Sequence, residues 1–484
     1  MNQINNQNQF AQYPLSEEIL EALTLLGYLL PTKIQQEVIP MVFADKDIAA
    51  KSQTGTGKTA AFAIPICERV IWEEHFPQAL VLEPTRELAF QVRDEIFYIG
   101  RKKRLKVPAL FGGFPIDKQI LTLRQKSHII VGTPGRILDH MGKETLQLSK
   151  IKTLVIDEAD LMLDMGFLED VKQIIEALPS DVQILLFSAT LEEEIKELTD
   201  QYMKDPVSII LDDNKTTQLI SQGAYFIPTE DKYEIFINIL IKENPKNCII
   251  FCGTREMVNV LCHKLHREKI PCGMLHGEME QKERLATIHD FREGKFIYLI
   301  ATDVAARGVD FEQITHVINY DFPTGKETYL HRIGRTGRKG NKGKAISLVT
   351  EDDMRMYKTV EEYLGMEIPH MALPDREESE YKTFLTSLKR IRIKRVRKGA
   401  ALNSGITKLS IGGGKKSKMR ASDIVGAICD IDGIEALDIG IIDIRDSLTY
   451  VEILNGKGKR VLTALEDKPI KGKYRKVHIT KGVF

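Results

Sequence analysis

The chain has few cysteines, which stabilise small secreted proteins, and no long apolar run of the kind that spans a membrane. Its 484 residues include six cysteines, with no Cys-x-x-Cys pair, and one tryptophan. So few cysteines favour reduced thiols over a disulfide framework. No apolar run approaches the about 18 residues that a membrane-spanning helix needs, and the polar start MNQINNQNQF lacks the basic and apolar regions of a secretion signal. These absences predict a cytoplasmic protein without a membrane partner.

One cysteine cluster raises the question of a metal. The segment CHKLHREKIPCGMLH places Cys262, His266, Cys272 and His276 at spacings that zinc sites use. The apolar residues around them fit the buried face of a helix that leads into a strand. These residues are Val260, Leu261, Leu265 and Ile270. Core packing is the simpler interpretation, and we expect no zinc.

The charge of the chain is balanced in total but not along its length. The 68 basic and 68 acidic residues cancel, yet residues 383–484 hold 22 Lys or Arg and only 10 Asp or Glu. The preceding residues are therefore mildly acidic. A basic C-terminal quarter suggests an electrostatic grip on a polyanion, and nucleic acid is the obvious candidate.

Most of the chain alternates short apolar runs with helical patterns, after a Gln/Asn-rich start that we expect to be disordered. Such alternation predicts an α/β fold with parallel sheets and crossover helices. Ligands of these sheets bind outside the carboxyl ends of the strands. Breaks in the alternation divide the chain into residues 1–210, residues 211–370, a basic linker at 371–403 and a C-terminal domain at 404–484.

The C-terminal domain follows the strand and helix order βαββαβ, a small α+β arrangement typical of RNA-recognition folds. Its sheet lacks most of the usual base-stacking aromatics, because Tyr450 remains while Leu448 and Ser410 occupy the other platform positions. We therefore expect RNA to contact the loop GGGKKSKMR instead, although a solvated charge run is the alternative. The basic residues of this loop are Lys415, Lys416, Lys418 and Arg420.

The segment AKSQTGTGKT, residues 50–59, has the form of a phosphate-binding loop between a strand and a helix. Gly55 and Gly57 let backbone N–H groups close around phosphate oxygens, Lys58 supplies a charge for the β and γ phosphates, and Thr59 a hydroxyl for Mg²⁺. Ser52 replaces the first glycine of the strict pattern. Alone, the segment could be a glycine-rich turn without a ligand.

A second motif supports the nucleotide interpretation. TLVIDEAD presents a buried strand that ends in Asp157 and Glu158. In this arrangement Asp157 would hold Mg²⁺ through water, and Glu158 would orient and deprotonate the attacking water.

These motifs belong to an ordered series by which the chain resembles the DEAD-box ATP-dependent RNA helicases across residues 10–365. The matching segments, in order, are Phe10, GYLLPTKIQ with Gln35, SQTGTGKT, PTREL (84–88), Gly112 with Gly113, TPGR (133–136), DEAD (157–160), SAT (188–190), IIFCGT (249–254), Gln281 with Arg284, TDVAARGVD (302–310) and HRIGRTGR (331–338). The resemblance implies two RecA-like domains, residues 1–210 and 211–370, with ATP and Mg²⁺ in the cleft between them.

The resemblance also implies roles for individual residues. Those expected at ATP are Phe10 and Gln35 at the adenine, Ser52, Gln53, Thr54, Gly55, Thr56, Gly57, Lys58 and Thr59 at the phosphates, and Asp310 at the ribose. Those expected in catalysis are Lys58, Asp157, Glu158, Arg335 and Arg338. Ser188 and Thr190 would couple hydrolysis to RNA binding. Those expected at the RNA backbone are Arg86, Gly112, Gly113, Thr133, Arg136, Thr254, Arg284 and Thr302.

The core and its C-terminal domain together resemble the DbpA subgroup of bacterial helicases. That resemblance implies a hairpin of 23S ribosomal RNA and precursors of the large ribosomal subunit as partners. A general RNA remodeller, active in the cold response or in mRNA decay, is one alternative. An ATP-gated RNA clamp with little turnover is another, but the intact Glu158, Arg335 and Arg338 argue against it.

Overall fold

The structure is a computed structural model. It describes residues 8–52, 55–190, 192–211, 219–306, 311, 314–337, 341–375, 378–390, 399 and 401–480. The chain divides into two compact units. The first comprises residues 1–16, 29–97 and 105–397, and the second residues 17–28, 98–104 and 398–484.

The first unit contains a seven-stranded parallel sheet with the strand order β3-β4-β2-β5-β6-β1-β7. Its strands are β1 (Ile48–Lys51), β2 (Ala79–Leu82), β3 (Ala109–Leu110), β4 (Ile129–Gly132), β5 (Thr153–Ile156), β6 (Gln183–Ser188) and β7 (Val207–Ile210). The central strands are apolar at almost every position, because helices cover both faces of the sheet. Strand β7 lies inside the segment 205–218, which the sequence indicated only as a break, and pairs with β1.

Nine helices precede or connect these strands within the described part of residues 17–202. They are α1 (Glu17–Leu25), which belongs to the second unit, and α2 (Lys33–Phe43), α3 (Lys58–Arg69), α4 (Arg86–Ile99), α5 (Ile116–Leu123), α6 (Pro134–Gly142), α7 (Ala159–Asp164), α8 (Leu168–Glu176) and α9 (Glu193–Tyr202). Of the N-terminal segment expected to be disordered, residues Gln9–Gln12 form a short 3₁₀ helix. Within the described ranges, no helix is long and apolar enough to cross a bilayer.

A second parallel sheet in the first unit has six strands in the order β10-β11-β9-β12-β13-β8. They are β8 (Ile220–Phe226), β9 (Cys248–Phe251), β10 (Cys272–Leu275), β11 (Tyr298–Ala301), β12 (His316–Asn319) and β13 (Gly343–Val349). Its helices are α10 (Lys232–Glu243), α11 (Arg255–Arg267), α12 (Gln281–Arg292), α13 (Asp303–Ala306), α14 (Lys326–Ile333), α15 (Met354–Leu364) and α16 (Glu378–Arg390).

Two details of this second sheet correct the sequence interpretation. Val260 is 47% exposed, and the buried face of α11 consists instead of Val258, Leu261, Cys262 and Leu265. Helix α16 lies within the segment 371–403 that was expected to be a linker, yet Phe384 and Leu388 are buried in the core of the second sheet. The remaining basic stretch, residues 391–398, lies outside the described residues.

The C-terminal part of the second unit is a four-stranded antiparallel sheet with the order β15-β16-β14-β17. Its elements are β14 (Thr407–Gly412), α17 (Ala421–Cys429), β15 (Ile439–Ile444), β16 (Leu448–Ile453), α18 (Gly458–Glu466) and β17 (Val477–Ile479). Alternate strand residues such as Leu409, Ile411 and Val451 pack with Ile424 and Val461 of the helices. The predicted βαββαβ order is confirmed, and so is the fold class of two parallel-sheet domains followed by a small α+β domain.

Candidate functional site

The topology of the first sheet gathers the nucleotide motifs at one edge. The phosphate-binding loop follows β1, Asp157 follows β5, and Ser188 ends β6. These strands are neighbours in the order β5-β6-β1. Because all strands run parallel, their carboxyl ends meet at the same edge, where ligands of such sheets bind.

The loop places Lys58 at the start of α3, whose positive N-terminal end adjoins the loop. Gly57, which caps this helix, has a left-handed backbone with φ of +98°. A Cβ at Gly57 would lie 2.6 Å from the Gln35 amide nitrogen, so only glycine fits. The Ser52 and Thr56 hydroxyls share a hydrogen bond of 2.7 Å across the loop. Gln53 and Thr54 lie outside the described residues.

Lys58 contacts both carboxylates of the acidic motif. Its ammonium lies 2.8 Å from Glu158 Oε1 and 3.7 Å from Asp157 Oδ1, and all three groups are buried. Burial alone would lower the pKa of Lys58, but the two carboxylates outweigh it and raise that pKa. Burial raises the pKa of Asp157 to about 6, whereas for Glu158 the neighbouring Lys58 outweighs burial and lowers the pKa. Glu158 is thereby kept ionised, the form in which a carboxylate accepts a proton from water.

Glu83, which the sequence did not single out, lies beside this pair. It follows β2, the neighbour of β5, and is fully buried. Neither of its carboxylate oxygens has a hydrogen-bond partner among the described residues. Burial, then the charges of Asp157 and Glu158, raise its pKa well above the ordinary value, so the neutral acid is favoured. No sequence signal identified it, because an acid after a strand is usually a surface residue.

The residues present fit a magnesium ion. Mg²⁺ prefers oxygen ligands and is commonly held by one or two carboxylates together with water and substrate phosphates. The Asp157 carboxylate and the unpartnered oxygens of Glu83 are buried at the end of the phosphate-binding loop, and Thr59 is the second residue of α3. This oxygen-rich set suits a hard cation.

Gln35, a residue of α2, connects that helix to the phosphate-binding loop. Its amide donates to Gly57 O (3.2 Å) and accepts from the Thr32 N–H (2.9 Å), and the side chain is almost fully buried. Phe10, which is expected near the nucleotide base, is fully buried. Tyr13, with its ring 6.2 Å away, is the nearby aromatic that keeps exposed surface.

The segment SAT is bonded to the acidic motif. The Asp160 N–H donates to Ser188 Oγ (3.3 Å), and the Ala189 N–H donates to Asp160 Oδ2 (3.2 Å). Thr190 donates instead to Glu192 (3.2 Å). A movement of Asp160 would therefore be transmitted to the segment that begins with Ser188.

The second sheet supplies Arg335 to the acidic motif. Arg335 is buried, and its positive charge is among the influences that lower the pKa of Glu158. The Arg335 backbone N–H donates to the Arg332 carbonyl oxygen at 3.0 Å. The Arg332 guanidinium donates to the Asp303 carboxylate at 2.5 and 2.7 Å and to Asn319 at 3.2 Å. Sequence reasoning missed this holding role of Arg332. Asp310 and Arg338 are outside the part of the chain that the structure describes.

The expected RNA residues of the first sheet occupy its other half, at the ends of β3, β4 and β2. The Arg86 guanidinium lies against Gly112 and Gly113, and a Cβ at Gly113, whose φ is +72°, would lie 2.1 Å from it. Thr133 precedes α6 as its N-cap, and Arg136 donates to Phe114 O at 3.0 Å. Basic and hydroxyl groups thus line this half of the edge.

In the second sheet the expected RNA residues follow the neighbouring strands β10, β11 and β9. Thr302 follows β11, and Thr254 caps α11 by accepting from the Met257 N–H at 3.1 Å. Arg284 of α12 pairs with Glu87 of α4 at 2.9 Å, and Gln281 accepts from Arg86 at 3.3 Å. These bonds connect the edges of the two sheets that carry the expected RNA residues. Glu87 is a further residue that the sequence did not mark, because its partner lies 197 positions away.

The four basic residues of the C-terminal loop are all exposed. The loop contains a 3₁₀ turn at Lys415–Ser417, and Met419 is buried beneath it. Backbone bonds from Lys415 to Arg445 O (2.8 Å) and from Lys416 to Asp446 O (2.9 Å) fix the loop to the β15–β16 turn. The loop therefore presents its charges from a defined backbone.

A phosphate-binding loop, a paired carboxylate and an arginine from a second parallel sheet define a P-loop ATPase built from two RecA-like domains. Comparison with known proteins identifies the family to which this ATPase belongs. Residues 32–198 match the DEAD/DEAH box helicase family, 231–340 the helicase conserved C-terminal domain and 408–479 the DbpA RNA binding domain.

Individual relatives agree. The chain is 50% identical to the ATP-dependent RNA helicase DbpA of Bacillus subtilis over 97% of this chain and 99% of that protein. It is 41% identical to the ATP-dependent RNA helicase CshA of Limosilactobacillus reuteri over 77% of this chain and 75% of that protein. Its fold resembles Saccharomyces cerevisiae Dbp5 bound to RNA and ADP BeF₃, with 34% identity and a TM-score of 0.70 over 78% of this chain and all of that chain. The chain belongs to the DEAD-box ATP-dependent RNA helicases, of the DbpA type, and its activity is RNA-dependent ATP hydrolysis.

Proposed function

We propose that this helicase remodels 23S ribosomal RNA during assembly of the large ribosomal subunit, in the cytoplasm, and that its C-terminal domain directs it to a hairpin of that RNA. The observation that carries the proposal is the exposed loop Lys415–Arg420 on a domain that matches the DbpA RNA binding domain. Four exposed cations in six residues suit contacts to several phosphates of a folded RNA.

The sheet face of that domain offers little to single-stranded bases. Ser410 faces Tyr450 across β14 and β16, and Leu448 is the next platform position. The guanidinium of Arg445 lies 4.7 Å from the centre of the Tyr450 ring, so one face of the remaining aromatic is already covered. Base stacking of the kind that RNA-recognition sheets provide needs two or three open rings. The basic loop is the better surface.

The nucleotide site fits ATP with Mg²⁺. After its two bonds to the protein, the Gln35 amide keeps one N–H and one oxygen lone pair, the set that reads the paired donor and acceptor of adenine. Thr59 and Asp157 would hold Mg²⁺, Asp157 through water. When bound, Mg²⁺ neutralises charge on the phosphate oxygens. Glu158 takes the proton of the attacking water, and Lys58 leaves its carboxylate to meet the phosphates.

RNA dependence follows from the division of the site between two sheets. Lys58 and Glu158 come from the first sheet and Arg335 from the second, so an efficient site exists only when the sheets are together. RNA that contacts both edges stabilises that arrangement, as do the Glu87–Arg284 and Arg86–Gln281 bonds. Closure on one bent strand would displace its partner strand and give local unwinding.

The test removes the loop charges from the full-length protein. The triple variant Lys415→Ala/Lys416→Ala/Lys418→Ala should bind the 23S hairpin at least about tenfold more weakly at moderate salt, with a shallower salt dependence because fewer counterions are released. The matched control, Lys46→Ala/Lys143→Ala/Lys242→Ala, removes three exposed charges from surfaces without candidate RNA residues. Equal hairpin affinity for wild type and the loop variant would contradict the proposal.

A general RNA remodeller remains the second candidate, favoured by the core itself, whose RNA residues suit backbone contacts without a base code. It would bind the hairpin and unrelated RNA of equal length with equal affinity. An ATP-gated clamp has less support, since the chain retains Lys58, Glu158 and Arg335, the residues that turnover would need, and Lys58 contacts Glu158.

A further inference from the structure

The cluster of Cys262, His266 and Cys272 has a geometry that sequence spacing alone did not reveal. Cys262 and His266 lie one turn apart at the end of α11, and Cys272 is the first residue of β10. The Cys262 and Cys272 sulfurs are 3.5 Å apart, and Cys262 Sγ is 3.9 Å from His266 Nδ1. All three ligand atoms lie within 4.8 Å of one another. His276, the fourth residue of the sequence cluster, is not part of this group.

Two of these separations are close to those in the coordination shell of a tetrahedral metal. With metal bonds of about 2.3 Å to sulfur and about 2.0 Å to nitrogen, tetrahedral angles put two sulfurs about 3.8 Å apart and sulfur and nitrogen about 3.5 Å apart. The two measured pairs differ from these values by a few tenths of an ångström, and the third pair, Cys272 Sγ with the His266 nitrogen, lies within 4.8 Å. A disulfide would instead require the sulfurs to approach to about 2.05 Å.

The histidine is oriented as a ligand. Its Nε2 lies 3.1 Å from the Cys272 carbonyl oxygen, to which it donates. This bond places the ring proton on Nε2 and leaves a lone pair on Nδ1, the atom that lies 3.9 Å from Cys262 Sγ. Metal-bound histidines commonly donate their second N–H to a backbone carbonyl in this way, which fixes both tautomer and ring orientation.

The cluster is buried on one side and open on the other. Cys262 and Cys272 are 5% and 8% exposed, whereas His266 is exposed. An ion can therefore enter from the His266 side, and a water molecule can complete four-coordination there.

We propose that Cys262, His266 and Cys272 form a binding site for a thiophilic divalent metal ion, with Zn²⁺ the favoured occupant and solvent as the fourth ligand. Binding would replace the two thiol protons, which pass to solvent, by two metal–sulfur bonds. Strand β10 is at the edge of the second sheet, so the ion would fasten this edge strand to the end of α11. The helix that follows this strand, α12, carries Gln281 and Arg284, which contact Arg86 and Glu87 of helix α4 of the first sheet.

The test titrates Co²⁺ into the full-length protein after chelator treatment under reducing conditions. Thiolate-to-cobalt charge-transfer absorption should rise to one equivalent and disappear when Zn²⁺ is added. Zn²⁺ should also raise the midpoint of thermal unfolding, since it binds the folded protein. Cys262→Ser and Cys272→Ser should each abolish the absorption, and Cys429→Ser, at a partly exposed thiol elsewhere, should leave it unchanged.

A second variant keeps the buried core intact, because Cys262 and Cys272 are also core side chains. His266→Asn at the exposed ligand should weaken Co²⁺ binding at least about tenfold, while His263→Asn, at an exposed histidine of the same helix, should not change it. Absence of charge-transfer absorption, or absorption that persists in both cysteine variants, would overturn the proposal. Loss of two thiols in air without any metal binding would assign the pair to a disulfide and overturn it too.

Discussion

The parallel sheets of the core and the antiparallel C-terminal sheet both carry candidate RNA residues, but they use opposite parts of their folds. In the core, these residues lie at the ends of neighbouring strands, next to the nucleotide half of the same edge. In the C-terminal domain the strands themselves offer one partly covered aromatic, and a loop outside the sheet carries the exposed charge. Under the proposed function, the core would couple RNA binding to ATP hydrolysis, and the C-terminal domain would select the RNA on which that coupling acts.

The largest effect on ATP turnover should come from Arg335, which follows α14 of the second sheet and is expected to act at the nucleotide site of the first. Arg335→Ala should lower RNA-stimulated ATP turnover by roughly 10³-fold or more, as expected for an arginine that stabilises a transferring phosphoryl group. Arg335→Lys should recover little, because its charge lacks the planar fork. ATP affinity should change little, and Arg267→Ala, at an exposed residue of α11, is the control. Undiminished RNA stimulation in Arg335→Ala would refute the shared site.

The next effect tests the base within the first sheet. Glu158→Gln keeps the shape of the side chain and its contact with Lys58 but removes the proton acceptor, so turnover should fall by roughly 10²–10⁴-fold. Steady-state hydrolysis measures this, and equilibrium binding of ATP and RNA should stay near wild type. Glu194→Gln, at an exposed position of α9, is the matched control. Near-normal turnover would remove Glu158 from its role.

A smaller effect concerns the pH dependence of stability. The folded protein holds the pKa of Glu83 well above its unfolded value of 4.5, so between these two pKa values the folded state binds more protons. Stability should therefore be full at low pH and fall as pH rises, by at most about 1.4 kcal/mol per pH unit from this one group. Glu83→Gln removes this contribution. The midpoint of thermal unfolding of the variant should therefore rise relative to that of wild type as pH increases. Parallel pH profiles would show that Glu83 is not held neutral.

The smallest effect should be at the C-terminal sheet. Tyr450→Ala should weaken binding of the hairpin less than about fivefold, below the stacking contribution of an open aromatic platform. A filter or fluorescence binding assay at fixed salt compares it with the triple loop variant. A loss larger than that of the loop variant would move the RNA site back to the sheet.

The sequence predicted the parts of the fold and the candidate site that depend on local pattern. Apolar runs located the strands, and the motifs at their ends placed Lys58, Asp157 and Glu158 at one edge. It did not predict contacts between distant segments, such as Arg284 with Glu87 or the grip of Arg332 on Asp303. It also left Glu83 unassigned and assigned Cys262, His266 and Cys272 to core packing, because burial and the orientation of a histidine ring are properties of the packed chain.

The most direct test of the division between core and C-terminal domain is the ATPase of the full-length protein and of a chain that ends at residue 403. Each is stimulated by the 23S hairpin fragment and by unrelated structured RNA of equal length, over a range of salt concentrations. The account predicts that the full-length protein is activated by lower concentrations of the hairpin than of unrelated RNA, and that the shortened chain responds equally to both. A shortened chain that still preferred the hairpin would contradict it, as would a full-length protein without preference.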